Sequence, residues 1–401
     1  MDKNVFFKSA LMFCFFIWMK SVYPQQTTEQ PAAMTNENEV ADSIETKLTG
    51  TEKKKYSFWQ SMFHGNIDRT FERAIDFSFG LGPYYNQEAG VGLGGMGSGL
   101  YRVDRTDSVM PPSNLTVSGN VSSKGFYGIN FLGNHYFKDD RSRLIYELSF
   151  NNKVLNFWGI NYDACIVNPV IDYTRRRIKA YGDYSYKIGS NFRIGGIVDF
   201  LYSYITEIDD RSYIEDQKLS YSTTGLGVSF QYDSRDFIPN PKRGIYLIIQ
   251  ETVYPEGLGS FDKTLFRTTF TADFFQELWK GGILAFDLIG NFKSREVPWA
   301  LKEELGGGNR MRGYYMGRYV DNNIISTQVE LRQHLFGRFG FATWIGAGTV
   351  FPKFNQFDWK EVLPSYGLGL RWEFKHNMNL RLDYGFGKES GSFVVSVGEA
   401  F

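Results

Sequence analysis

The chain has 401 residues, and its 44 Lys and Arg balance 44 Asp and Glu, so bulk charge gives no electrostatic footprint for nucleic acid or an anionic surface. Mean hydropathy is −0.32, and beyond residue 20 no apolar run approaches the roughly 18 residues a spanning helix needs, so any membrane residence must rest on strands. Aromatic residues make up 17% (36 Phe, 25 Tyr, 8 Trp), and 42 Gly stand against 12 Pro, a balance suited to many long strands with aromatic belts at two interfaces.

The first 25 residues read as a signal peptide: Lys3 and Lys8, an apolar stretch from Ala10 to Met19, then Lys20 and a polar run from Gln25. Cys14 follows Leu11, Met12 and Phe13, which lack the small residues of a lipobox, and Cys165 is the one cysteine of the mature chain, so it has no intrachain disulfide partner. Residues 26–68 read as a polar periplasmic linker. Within it, Phe58, Trp59, Met62 and Phe63 sit at near-helical spacing and suggest a short amphipathic helix that anchors at the interface.

From residue 69 to 401 the pattern is period-two alternation in segments bounded by Gly, Asn, Asp and Ser, the signature of a transmembrane antiparallel β-barrel. The strands are placed at 74–86, 89–102, 114–123, 126–138, 141–152, 171–187, 191–206, 219–235, 243–254, 262–278, 281–294, 322–335, 338–351, 364–374, 378–388 and 392–401. Connections are long at 153–170, 207–218, 295–321 and 352–363. They are short at Gly189-Ser190, Lys280-Gly281 and Lys375 to Asn377, which is the two-rim asymmetry of outer-membrane barrels.

Alternation also assigns faces. Leu380, Leu382, Tyr384 and Phe386 share one side and Arg381, Asp383, Gly385 and Gly387 the other. A sheet side carrying arginine and aspartate is wet, so the opposite side meets lipid. The same rule puts Tyr366, Leu368, Leu370, Trp372 and Phe374 outside, with Phe393, Val395, Val397 and Phe401 repeating the pattern in the last strand. Glu330, Glu373 and Asp383 fall on inward faces, among Arg332, Arg371 and Arg381.

The longest connection contains GGGNRMRGYYMGRYVDNN, Gly306 to Asn323, between the eleventh and twelfth strands; a loop of this length in a compact domain is usually functional. A second motif, Asp233-Ser-Arg235-Asp236 followed by Pro239, Pro241 and Gly244, occupies a short turn. Gly92-Leu-Gly94-Gly-Met-Gly97 satisfies GxGxxG, but no βαβ unit follows, so it reads as a glycine-rich barrel strand. No G-x-S-x-G occurs, and His64, His135, His334 and His376 are scattered without metal spacing, so neither enzymatic, metal nor cofactor chemistry is expected.

Arg312-Gly313-Tyr314 resembles the Arg-Gly-aromatic tip of the inward-folded sixth outer loop in the BamA/TamA superfamily of outer-membrane assembly and two-partner secretion barrels. The Asp233, Arg235, Asp236, Pro239, Gly244 turn is similar to another motif of that family. So are Gly367-Leu-Gly-Leu-Arg371-Trp and Arg381-Leu-Asp383-Tyr in the late strands. The resemblance implies that the loop arginine pairs with an inward carboxylate, Asp383 first and Glu330 second, with Glu373 a further lumen acid. It makes Phe401 a C-terminal insertion signal. The seam between first and last strands, where Gly80, Gly82, Pro83 and Gly398 weaken pairing, becomes the place where client strands engage.

The implied partners are outer-membrane lipid and unfolded outer-membrane or secreted clients. Residues 26–68 are too few and too polar for the periplasmic POTRA module the family carries, so accessory periplasmic or lipoprotein subunits are expected in its place. The competing expectation is a passive or structural outer-membrane channel.

Overall fold

The computed structural model describes residues 70–86, 90–106, 110, 112–215, 217–238, 240–375 and 378–401. The leader, the linker with its short helix, Pro239 and the turn at 376–377 lie outside the described residues.

Sixteen strands form one antiparallel sheet in chain order. They are β1 (Asp76–Asn86), β2 (Gly90–Tyr101), β3 (Ser113–Ser122), β4 (Tyr127–Tyr136), β5 (Ser142–Phe157), β6 (Ile171–Lys187), β7 (Phe192–Ile208) and β8 (Ser220–Asp233), then β9 (Gly244–Tyr254), β10 (Leu265–Trp279) and β11 (Gly282–Lys293). The wall resumes with β14 (Asn323–Phe336), β15 (Phe339–Phe351), β16 (Leu363–Lys375), β17 (Met378–Gly387) and β18 (Ser390–Val397). Between β11 and β14 the loop carries its own two-stranded hairpin, β12 (Glu303–Leu305) and β13 (Tyr319–Asp321). The wall strands agree with the sequence expectation in number and order.

The sheet curls until β1 and β18 come within 8 Å between Cα atoms, but no ladder joins them among the described residues. β1 runs unbroken through Gly80, Gly82 and Pro83, with Pro83 opposite Leu93 of β2. A proline is tolerated there because, among the described residues, β1 is an edge strand with no ladder partner on one side of its backbone.

The two faces have opposite chemistry. Outward side chains such as Phe79 (84% exposed), Ile345 (67%) and Leu368 (61%) form a broad exposed apolar surface. Alternate inward positions such as Asp183, Asp199, Asp287, Glu330 and Asp383 are buried. Apolar exposure on this scale is stable against hydrocarbon rather than water. On β2 the outward Gly97 and Gly99 lie under the side chains of Phe77 and Ile75, which cover the gaps the glycines leave.

Two segments depart from the sequence reading. β5 continues to Phe157, five residues beyond the expected end, and pairs with β6 as far as Ile171. Leu155 and Phe157 are buried there in an apolar cluster with Tyr173, Ile205, Ile214, Tyr254, Val297 and Trp299, where long strands and loops meet on the long-loop rim. That burial sustains the strand past the lipid-facing band.

At the other end, β18 stops at Val397 and Gly398 adopts φ +85°, so the facing of the following residues is reset. Phe401 therefore does not share the outer face with Phe393 and Val395. Its ring stacks on buried Phe275 at 6.1 Å on the inside of the wall.

Candidate functional site: the loop docked in the lumen

The loop between β11 and β14 is built to fold back on itself. Its hairpin β12/β13 pairs Glu303 with Asp321 and Leu305 with Tyr319. Beyond Leu305 the backbone turns sharply, with positive φ at Gly306, Gly307, Met311, Gly313 and Gly317. Leu305, Met311, Tyr314 and Tyr319 pack with Cys165, Ile324, Val350 and Leu363 into a second buried apolar cluster. Cys165 comes from a short helix, α1 (Tyr162–Val167), in the β5–β6 loop. Arg318 lies over the rings of Trp158 (4.7 Å) and Tyr319 (5.1 Å) and donates to the Cys165 carbonyl.

At the tip, backbone meets backbone. A Cβ on Gly313 would lie 2.5 Å from the Phe386 carbonyl carbon, and one on Gly385 would lie 2.5 Å from that of Arg312. Gly313 N–H donates to Ser392 Oγ at 3.0 Å, and Ser365 Oγ donates to the Arg312 carbonyl at 2.6 Å. The Tyr314 hydroxyl donates to the Pro364 carbonyl and accepts from Lys388 N–H, both at 2.7 Å. Three consecutive loop residues are thus fixed to β16, β17, β18 and the β17–β18 turn.

Arg312 is fully buried. Nη1 donates to Asp383 Oδ2 at 2.7 Å, and Nη2 donates to Glu330 Oε2 at 2.6 Å and to Gln328 Oε1 at 3.1 Å. Its guanidinium carbon stands 3.5 Å from the Trp344 ring centroid. This arrangement offsets the desolvation of a buried cation by charge-assisted bonds and an aromatic face. Each carboxylate is shared: Asp383 also accepts from Arg371 (2.5 Å) and Arg381 (3.0 Å), and Glu330 from Arg332 (2.8 Å).

Glu373 lies apart from this cluster. Its backbone pairs with Arg338 at the β14–β15 turn, and its carboxylate acts electrostatically on the same arginine. β16 reaches the short-turn rim at that point, so correct parity still leaves Glu373 at the wrong height along the barrel.

Further loop anchors have no counterpart in the sequence reading. Arg310 binds Asp287 of β11 with Nη2 at 2.7 Å and Nε at 3.0 Å. In the stem, Glu304 pairs with Arg175 of β6, with Arg177 at 4.0 Å, and Glu303 pairs with Lys293. Burial pushes the Glu304 carboxyl up, but the guanidiniums of Arg175 and Arg177 outweigh it and hold the carboxyl at about 2. The stem borders a cavity of about 320 Å³ that reaches Lys179, Asp199 and Arg267 on the wall.

The Asp233 motif lies on the opposite rim. Asp233 accepts from Arg235 at 2.9 Å and from Arg143 at 2.8 Å, and Arg235 lies 4.0 Å over the Tyr246 ring. Asp236 closes the turn by accepting N–H bonds from Phe237, Lys242 and Arg243. Gly244 has φ +115°, and a Cβ there would sit 2.4 Å from the Ser234 carbonyl oxygen. These residues shape a turn and do not touch the Arg312 cluster.

A sixteen-stranded barrel wall with a long loop tied into its lumen by a buried arginine defines a distinct class of β-protein. The family model described as the Omp85 superfamily domain matches residues 112–401, and the chain belongs to that superfamily. Among the described residues there is no POTRA module.

Among solved structures, the fold is similar to BamA from Haemophilus ducreyi lacking POTRA domains 1-3 (14% identity, TM-score 0.53, covering 81% of this chain and 70% of that one). It is also similar to CdiB from Escherichia coli (12%, 0.53, 89% and 74%) and CdiB from Acinetobacter baumannii (13%, 0.50, 82% and 66%). No curated protein sequence matches the chain.

Proposed function

We propose that this chain is a bacterial outer-membrane barrel that inserts or translocates polypeptides, acting on unfolded outer-membrane or secreted clients with periplasmic or lipoprotein accessory subunits. The observation that carries the reading is the loop tip held in the lumen, with Arg312 between Glu330 and Asp383 and Gly313 against β17. In a passive channel a fixed loop would serve to narrow the pore and set its selectivity. An insertion device gains a rigid brace beside the strands β16 to β18, whose outer edge has no ladder partner across the seam among the described residues. Surrounding lipid is the remaining partner, met by the outward apolar surface.

Depleting the protein and taking a census of outer-membrane proteins tests this. Loss of a subset of barrels or secreted proteins is the expected result. An unchanged census together with steady conductance from the purified barrel would favour the channel.

A further inference from the structure

Beyond β18 the chain crosses the lumen instead of continuing along the wall. Gly398 N–H donates to the Asn379 carbonyl at 2.8 Å, and its positive φ turns the next three residues inward. Glu399 Oε2 accepts from Arg371 Nε of β16 at 2.9 Å and lies 3.6 Å from Arg332 Nε of β14, while Oε1 accepts from Asn379 at 2.6 Å. Ala400 is buried. The Phe401 main-chain oxygen accepts from Arg332 Nη2 at 3.0 Å, and its ring meets Arg332 at 5.0 Å and Phe275 of β10 at 6.1 Å. Three residues therefore link the edge strand to β16, β14 and the far wall.

This strap touches the two arginines that flank the Arg312 carboxylates. Arg371 bonds both Asp383 and Glu399, and Arg332 bonds Glu330 and lies near Glu399. Arg312, Arg332, Arg371 and Arg381 are all buried, and among the described residues the side-chain carboxylates that oppose them are those of Glu330, Asp383 and Glu399, with the Phe401 main-chain oxygen also on Arg332. Donors outnumber acceptors there: Arg312 Nε, Arg332 Nη1, Arg371 Nη2 and Arg381 Nε have no hydrogen-bond acceptor among the described residues. Without Glu399, Arg371 and Arg332 draw more strongly on Glu330 and Asp383, the groups that hold Arg312.

We infer that Glu399 is a positioning residue for the docked loop. It shares Arg371 and Arg332 with the Arg312 carboxylates and takes part of their charge, so the segment after β18 and the loop tip are coupled through one charge network. Displacing the strap loosens the loop, and undocking the loop releases Glu330 and Asp383 to compete for the strap's arginines. The coupling stands on the cluster geometry. Its consequence for client handling rests on the function proposed above.

The test is Glu399→Gln in the full chain, purified in detergent, with chymotryptic cleavage after Tyr314 and Tyr315 as the readout. Cleavage is expected to accelerate about tenfold, the effect of losing one buried charge-assisted bond. Arg371→Gln supplies the second arm of a double-mutant cycle. Because Glu399 acts through Arg371, the Glu399→Gln effect is expected to shrink strongly in that background, whereas a merely structural role would add.

Phe401→Ala leaves every charge in place and reads the strap if Glu399→Gln fails to fold; it is expected to loosen the loop in the same direction. Wild-type cleavage in Glu399→Gln, or in Phe401→Ala where that stands in, or additive effects in the cycle, overturns the inference. Loosened loops with an unchanged outer-membrane protein census would leave the coupling standing and count against the proposed function.

Discussion

Replacing Arg312 with alanine removes the cation that two buried carboxylates share. Taking one partner from a buried ion pair typically costs about 3–5 kcal/mol. Here Glu330 keeps Arg332, and Asp383 keeps Arg371 and Arg381, which moves the cost to the lower end of that range. Loss of the cation over Trp344 adds about 1 kcal/mol. A net penalty of about 4 kcal/mol on docking raises the undocked population on the order of a thousandfold. The wall ladders from β11 to β18 do not pass through Arg312, so the barrel itself stays folded. Chymotrypsin reports the change because Tyr314 and Tyr315 are both retained, and cleavage follows the open population when opening is fast. A cleavage rate within about twofold of wild type in a folded Arg312→Ala barrel would refute the reasoning.

Gly313→Ala forces a side chain into φ +110° against the Phe386 backbone, so it is expected to undock the tip as strongly as Arg312→Ala, by the same proteolysis assay. Gly244→Ala meets the Ser234 carbonyl on the other rim; it is expected to lower the yield of folded barrel without changing loop cleavage in the fraction that folds, read by heat-dependent gel mobility. The Glu304 carboxyl is held at about 2 against its usual 4.5, so its contribution to stem docking is fully present above pH 4.5 and lost as pH falls through about 2. In Arg175→Ala the stem is expected to loosen at a higher pH than in wild type, measured by cleavage of the 294–322 segment with an acid-active protease.

Much of the wall was legible because a membrane barrel imposes the simplest periodicity a sequence can carry. Leu382, Tyr384 and Phe386 alternate with Arg381, Asp383 and Gly385, and nothing but a two-sided strand explains that. Parity also put Glu330 and Asp383 inside, but it carries no height information, which is why Glu373 could be grouped with them although β16 sets it at the short-turn rim. The pairing of Arg310 with Asp287 joins residues in different elements across the lumen, and no local spacing reports it. Alternation carried through Gly398 misplaces Phe401, because positive φ there resets the facing. The β5 extension is hidden because Leu155 and Phe157 are sustained by loop packing and not by a lipid-facing pattern.

The most direct test of the account is complementation in cells depleted of the natural protein, with Arg312→Ala matched to wild type for folded barrel at the membrane. Wild type is expected to restore the census of outer-membrane and secreted proteins, while Arg312→Ala leaves it deficient. Full restoration by Arg312→Ala would contradict the account.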